Sequence, residues 1–352
     1  MVNSDAQSSG GRSGLKWAVW AQSAVNGALG DYLHAERNPL AINMALYACG
    51  THAPLALDAL AALQPAPTGR IVLLVHGLGC SESMWCWHEP QTEAQKKEKQ
   101  RTPITSYGHM LQGDLGYTPI AIRYNTGLAI AANGQKLAAL LDALAAAWPV
   151  PVEEILLIGH SMGGLVIRHA CYDGSVEQRA WLKHVQRIIY LGTPHEGADL
   201  ERFAHMAAST LRTVPNPITR FIGGLINLRS QGVQDLRHGA QHDVGANAAP
   251  GEPLPWLRDV QHYLIAGTLG STQGHATSLL FGDGLVRPPR NPARMGANGE
   301  TPPETHVVVF PGVHHVGLAR SHAVYAQILA WCMDTGVPEA SALALDPPEG
   351  TQ

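Results

Sequence analysis

The chain has 352 residues, 45% of them hydrophobic and 15% charged, and a formal net charge of -4. That length holds one sizeable α/β domain with insertions, or two small domains. The slight negative charge argues against nucleic acid or anionic lipid as a partner, and no continuous apolar run of about 18 residues points to a membrane span.

In chain order, residues 1–14 are polar, rich in Ser and Gly, and read as a disordered tail. They lack a basic start followed by an apolar core, so no secretory signal is evident and a cytoplasmic location is expected. From Lys16 to about Ala62 the pattern is helical, with Trp17, Trp20, Val25, Leu29, Tyr32 and Leu33 at roughly helical spacing. Asn38-Pro39 and Gly50 punctuate it, and Pro65-Ala66-Pro67 separates it from the apolar run that begins at Ile71. Residues 15–68 are therefore expected to form an N-terminal helical arm. The arm is too apolar to float free, and should pack over an edge of the main domain or at the mouth of a site.

Residues 69–337 then alternate strand and helix. Strands are expected at 71–75, 118–123, 155–158, 188–191, 262–266 and 306–310, several of them continuous β-branched and leucine runs typical of strands buried on both faces. Helices are expected at 127–148, after 163, and at 320–333. This alternation predicts a mostly parallel sheet covered on both faces. It breaks between Ala198 and about Leu257, where helical patches at 200–211 and 218–228 give way to a Gly/Ala/Pro-rich stretch sized for a helical lid. The charge-dense run 91–101, with Lys96, Lys97, Glu98 and Lys99, reads as a solvated loop or helix face, and 338–352 as a C-terminal tail. Cys49, Cys80, Cys86, Cys171 and Cys332 are too few and scattered for a disulfide framework, so reduced thiols are expected.

The chemistry centres on Gly159-His160-Ser161-Met162-Gly163, a G-x-S-x-G turn between an apolar strand and a helix. So tight a turn admits only small residues beside the serine, and it sets a helix N-terminus, with its unpaired N–H groups, beneath the hydroxyl. A serine needs a base to take its proton and a carboxylate to hold that base in the right tautomer. The histidine is expected after the last strand, where His314 and His315 both stand and position alone does not separate them. Asp283, between Gly282 and Gly284 after a late strand, is the expected acid. Asp199 is its main competitor, and Glu304 ranks lower because it precedes the final strand. Preorganised donors for an oxyanion are expected at the Met162 N–H and at Leu78 N–H, in the turn His76-Gly77-Leu78-Gly79. His238 and His242 stand at i, i+4 but lack a third ligand, so they read as a helix face. No metal or organic cofactor is expected.

With these pieces placed, residues 69–337 resemble the α/β-hydrolase superfamily, in its lipase- and esterase-like branch. The likeness rests on Val75-His76-Gly77-Leu78-Gly79, Gly159-His160-Ser161-Met162-Gly163-Gly164, Leu191-Gly192-Thr193-Pro194-His195-Glu196-Gly197, Gly282-Asp283-Gly284-Leu285-Val286 and His315-Val316-Gly317-Leu318. The Thr-Pro-His-x-Gly element is frequent in bacterial lipases and in hydrolases related to those that deacylate glycolipid anchors. The resemblance places the catalytic histidine at His315 rather than His314, and gives His195 a loop-structuring role. Two positions depart from the pattern: Arg287 follows Leu285-Val286 where relatives often carry proline, and Ala319 follows Leu318 where they often carry leucine. The resemblance implies an α/β-hydrolase fold and a serine hydrolase of carboxylic esters, a carboxylesterase or lipase acting on a small or lipid-like ester. Acyl transfer or thioester hydrolysis with the same triad is the alternative. A non-catalytic binding module is a third, against which every reacting part is retained. Oligomeric state is not legible, and nothing supports contact of the arm with a membrane surface.

Overall fold

The computed structural model describes residues 6–51, 53–89, 104–197, 230–236, 254–268 and 305–334, with backbone alone over 6–16. Its main sheet is built on apolar runs whose alternate residues face opposite sides. In β2 (Arg70–Val75), Ile71, Leu73 and Val75 enter one core while Val72 and Leu74 enter the other. β6 (Glu154–His160) divides likewise, Ile155 and Leu157 from Leu156 and Ile158. Strands so buried need cover on both faces. The first core is closed by α3 (Ile130–Ala147) and α4 (Met162–Val176). The second is closed by α2 (Tyr107–Leu115) and α6 (His322–Met333).

The caps are local. Ser106 Oγ accepts the His109 N–H at 3.0 Å to open α2, which Gly116 closes at φ 70°. The alanine- and leucine-rich α3 stops at Trp148-Pro149, because proline cannot continue it.

The sheet runs β1-β5-β2-β6-β7-β8-β9, completed by β1 (Ala45–Ala48), β5 (Thr118–Arg123), β7 (Val185–Leu191), β8 (Gln261–Thr268) and β9 (Thr305–Pro311). β1 pairs antiparallel with β5, and every other neighbouring pair is parallel. A separate ribbon joins β3 (Trp87–His88) to β4 (Ile104–Thr105). β2 has β5 on one side and β6 on the other, so the chain reverses its direction of build across β2. Such a switch opens a crevice beyond the carboxyl ends of the strands, the usual ligand position in open α/β sheets. Val75 pairs with Gly159, and His160 with Leu191, so the turns leaving β2, β6 and β7 emerge side by side.

At the opposite, amino edge, Glu154 is held between two arginines. Arg70 reaches its Oε2 through Nη2 at 2.9 Å and Nε at 3.2 Å, and Arg187 Nη1 reaches Oε1 at 2.8 Å. Arg70 also lies over the Tyr117 ring, 4.2 Å from its centroid.

The N-terminal segment differs from expectation in two ways. Helix α1 (Ala6–Ala35) begins inside the stretch expected to be a tail, and carries a kink at Leu29, φ -135°. It then ends well before Ala62: Asn38-Pro39 breaks it, and Ala45–Ala48 enters the sheet instead, with Leu46 opposite Ile122. Burial of Leu46 and Tyr47 along the β5 edge of the sheet outweighs the helical propensity of the alanines. Of the expected lid, helix α5 (Gln231–Leu236) and residues 254–257 are described; the patches at 200–211 and 218–228, the charged run 91–101 and the tail at 338–352 lie outside the described residues. All five cysteines are free thiols. Among the described residues, no helix is long and apolar enough to cross a membrane.

Candidate active site

Ser161 sits at the bend between β6 and α4 with φ 54° and ψ -126°, a left-handed backbone that a non-glycine residue adopts only under strain of about 1–3 kcal/mol. Two contacts hold it there. Its N–H donates to Leu191 O of the adjacent strand at 2.8 Å, and α4 begins directly beneath, with Met162 as its first residue. That helix end packs so closely on β2 that a Cβ at Gly163 would lie 2.3 Å from Val75 O and 2.6 Å from His76 O. Ser161 is 2% exposed, and its Oγ has no hydrogen-bond partner among the described residues.

The turn after β2 closes on the same hydroxyl-bearing carbon. A Cβ at Gly77 would meet Ser161 Cβ at 2.9 Å, so the Gly77-Leu78 peptide passes against the serine because Gly77 has no side chain. The loop is anchored behind: Tyr124 Oη donates to His76 O at 2.7 Å, and the two rings stack 4.5 Å apart. Burial pushes the His76 imidazole down to about 4, so it stays neutral. Met162 N–H, at the first turn of its helix, has no carbonyl four residues earlier within that helix to bond.

His314 and His315, adjacent in sequence, part company in space. His314 is exposed, and its Nδ1 accepts the Gly317 N–H at 3.1 Å, capping the short 3-10 helix His315–Ala319. His315 is 3% exposed and turns inward. A Cβ at Gly192 would lie 2.9 Å from its Nδ1, its ring is 4.7 Å from that of His160, and its carbonyl lies 3.0 Å from His160 Nε2. Gly192 follows the carbonyl that receives the Ser161 N–H, so the imidazole of His315 and Ser161 share one corner of the carboxyl edge.

The carboxylate side falls outside the described residues. Asp283 and its competitors Asp199 and Glu304 are all in that category, as are His238 and His242. β8 ends at Thr268 on the carboxyl edge, and β9 starts at Thr305 on the amino edge, so the connection bearing Asp283 leaves from the side of the sheet that holds Ser161.

Beneath the site lies a cluster that the motifs did not reveal. Arg168, in α4, is buried without a carboxylate partner among the described residues. Its guanidinium lies over the Trp256 ring at 4.0 Å, donates to Leu254 O, and approaches His195 Nδ1 at 3.4 Å. His195 in turn meets Tyr190 edge-on, ring centroids 4.7 Å apart. Burial, then the Arg168 charge, holds its pKa well below the ordinary histidine range, so it stays neutral. His195 thus ties the turn after β7 to α4 and to the segment before β8. The sequence carries one signal of this: Arg168 is a lone charge on an apolar helix face, and such arginines are rarely buried without a partner to hold. Asn125 and Thr126, buried at the end of β5, give no sequence signal at all.

A family model described as "Alpha/beta hydrolase family" matches residues 72–328. Among solved structures, the chain is similar to the mature form of the Bacillus licheniformis lipase BlEst2, at 18% identity over 76% of this chain and 94% of that one, with TM-score 0.38. It is similar to a thermophilic esterase from Thermogutta terrifontis at 17% identity, over 83% and 98% of the two chains, with TM-score 0.40. For a putative aryl esterase from Burkholderia cenocepacia the figures are 15%, 76%, 90% and 0.39. None of the three is close enough to lend its activity to this chain. No curated protein matches.

Proposed function

This chain belongs to the alpha/beta hydrolase family, and on that premise we propose that it hydrolyses carboxylic esters through Ser161, His315 and Asp283. Ser161 Oγ attacks the acyl carbon while His315 takes its proton. The charge that develops on the carbonyl oxygen is held by the backbone N–H groups of Leu78 and Met162, each worth about 3–4 kcal/mol to the transition state. The tetrahedral species collapses as His315 passes the proton to the leaving alcohol. Water then attacks the acyl-enzyme with the same imidazole as base, the acid departs, and Ser161 regains its proton. Asp283 keeps the imidazole in the tautomer that leaves Nε2 free to accept, and stabilises the cation it becomes. These steps move protons and electron pairs between protein, substrate and water, and call on no cofactor.

One observation carries this reading. A serine in strained left-handed backbone, at a strand-to-helix turn, has Gly77 against its Cβ and a buried histidine in its corner. A purely structural serine gains nothing from that strain. The test is labelling by a fluorophosphonate probe together with hydrolysis of short p-nitrophenyl esters. The wild-type chain is expected to be labelled and active, and Ser161→Ala neither. Full esterase activity in Ser161→Ala would overturn the proposal. A chain-length series with and without an emulsion interface then separates lipase from carboxylesterase, and competing alcohols or acyl-CoA substrates expose acyl transfer or thioester hydrolysis.

A further inference from the structure

The helix N-terminal to the family's matched region touches the turn proposed to bind the oxyanion. Gly79, at φ 66°, closes that turn, and its N–H donates to Thr126 Oγ1 at 3.0 Å. Thr126 is 1% exposed and lies just beyond the end of β5. Behind both lies α1. A Cβ at Gly27 would stand 3.0 Å from Gly79 Cα and 3.4 Å from Thr126 Oγ1. One turn on, Gly30 O accepts from Asn125 Nδ2 at 2.8 Å, and a Cβ at Gly30 would collide with that side chain. Ser230 Oγ donates to Gly27 O at 2.7 Å, which holds the same stretch of helix. Glycine in a helix interior weakens the helix, yet α1 places Gly27 and Gly30 on either side of its kink at Leu29, and both meet the end of β5 and the turn beside it. The contacts supply the reason: the helix backbone itself must reach the loop.

We propose that Thr126 and the Gly27 face of α1 are positioning elements that aim the Leu78 N–H at the developing oxyanion. The inference rests on the ester-hydrolysis mechanism above. Leu78 is bracketed by Gly77, packed on Ser161, and Gly79, held by Thr126 and α1. Tyr124 and Asn125, adjacent to Thr126, bind His76 O and Gly30 O, so the end of β5 holds the loop and the helix together. A donor displaced by a fraction of an ångström still admits substrate but loses its bond to the transition state, so the loss falls on kcat rather than KM.

The test is steady-state kinetics of Thr126→Val, which keeps the shape and removes the acceptor, with Thr126→Ser and Gly27→Ala beside it. Thr126→Val is expected to lower kcat by about 10-fold to 100-fold, below the loss of about 10²–10³-fold expected on removal of an oxyanion donor itself. KM should stay within about threefold, and the rate of fluorophosphonate labelling should fall in parallel. Thr126→Ser, which keeps a hydroxyl at the same place, should recover most of kcat. Gly27→Ala, which pushes on Gly79 from the helix side, should reproduce the kcat loss, and it carries the test alone if Thr126→Val does not fold. Unchanged kcat in the folded variants overturns the proposal, as does a loss that Thr126→Ser fails to recover or that appears equally in KM. If the wild-type chain is not labelled by the probe, it is the hydrolase mechanism that has failed, not the clamp.

Discussion

Around Glu154 at the amino edge of the central sheet and around Ser161 at its carboxyl edge, buried polar groups are treated in opposite ways. At the amino edge, Glu154 accepts from Arg70 and Arg187, and Arg70 has further partners in Leu115 O and Tyr117 Oη. Apart from Arg187 Nε, that network closes on itself. At the carboxyl edge, Ser161 Oγ, Thr193 Oγ1, His76 Nε2 and His195 Nε2 are buried with no hydrogen-bond partner among the described residues. Burying an unpaired polar atom costs about 1–3 kcal/mol, so several such atoms in one place work against folding stability. The amino edge uses its polar groups to hold strands in register. The carboxyl edge keeps strained backbone and open hydrogen-bonding capacity around Ser161, the proposed nucleophile.

The sharpest way to break this contrast is at Ser161. Ser161→Ala is expected to lower kcat/KM by about 10⁴-fold or more, the scale on which nucleophile loss acts in serine hydrolases. It should not lower stability, and should raise it by up to about 1–3 kcal/mol, because Oγ is buried with no hydrogen bond to lose among the described residues. Thermal denaturation beside ester kinetics checks both. A large fall in melting temperature would show that the hydroxyl is structural, and the two edges would no longer differ in kind.

The converse substitution is Glu154→Gln. It leaves Arg70 and Arg187 facing a neutral amide that cannot accept from both as a charged partner, and losing one side of a buried ion pair costs about 3–5 kcal/mol. Denaturant unfolding should show that loss, while kcat per folded molecule stays at the wild-type value. A kcat that falls with stability intact would mean that the amino edge is coupled to the site.

Legibility in the sequence divides in the same way between inner and outer parts. The strands at 71–75, 118–123, 155–158, 188–191, 262–266 and 306–310 are readable within a few residues, because burial on both faces demands unbroken apolar runs. β1 is not. It has four residues, two of them alanine, and becomes a strand only because an edge of the sheet is there to receive it. Helix α3 starts at Ile130 and not at 127, since Asn125 and Thr126 are occupied with Gly30 and Gly79, partners 95 and 47 residues away that no local pattern shows. In the site, G-x-S-x-G and His-Gly-Leu-Gly are legible because each forces a local backbone shape. His314 and His315 are inseparable by position, since what parts them is a packing contact with Gly192 and His160. Arg168 escapes a motif defined by its glycines and its serine.

The finest test of the contrast is its response to acid, through His76. Burial holds this imidazole neutral down to about 4, against an ordinary value of 6.5, with the nearby Arg123 also lowering it and the bond to Gly77 O and the Glu82 charge working the other way. Between those limits the unfolded chain binds a proton that the folded chain refuses. Stability contributed by the neutral ring is therefore complete above pH 6.5 and declines by about 1.4 kcal/mol per pH unit as pH falls toward 4. His76→Phe keeps a ring to stack on Tyr124 and cannot titrate. At pH 7 it forfeits the contact between Nδ1 and Gly77 O, worth about 1 kcal/mol, while Cys80 N–H still donates to that carbonyl, and it is relieved of the buried, unpaired Nε2, which offsets that loss. In acid the variant escapes the decline. The gap between the two stability curves should then shift in favour of the variant by about 1.4 kcal/mol per pH unit as pH falls from 6.5 toward 4. Unfolding midpoints in urea, measured from pH 7 to 4, decide the matter. Parallel curves would mean that His76 takes up its proton while folded, and that the carboxyl edge tolerates a charge directly behind the turn proposed to bind the oxyanion.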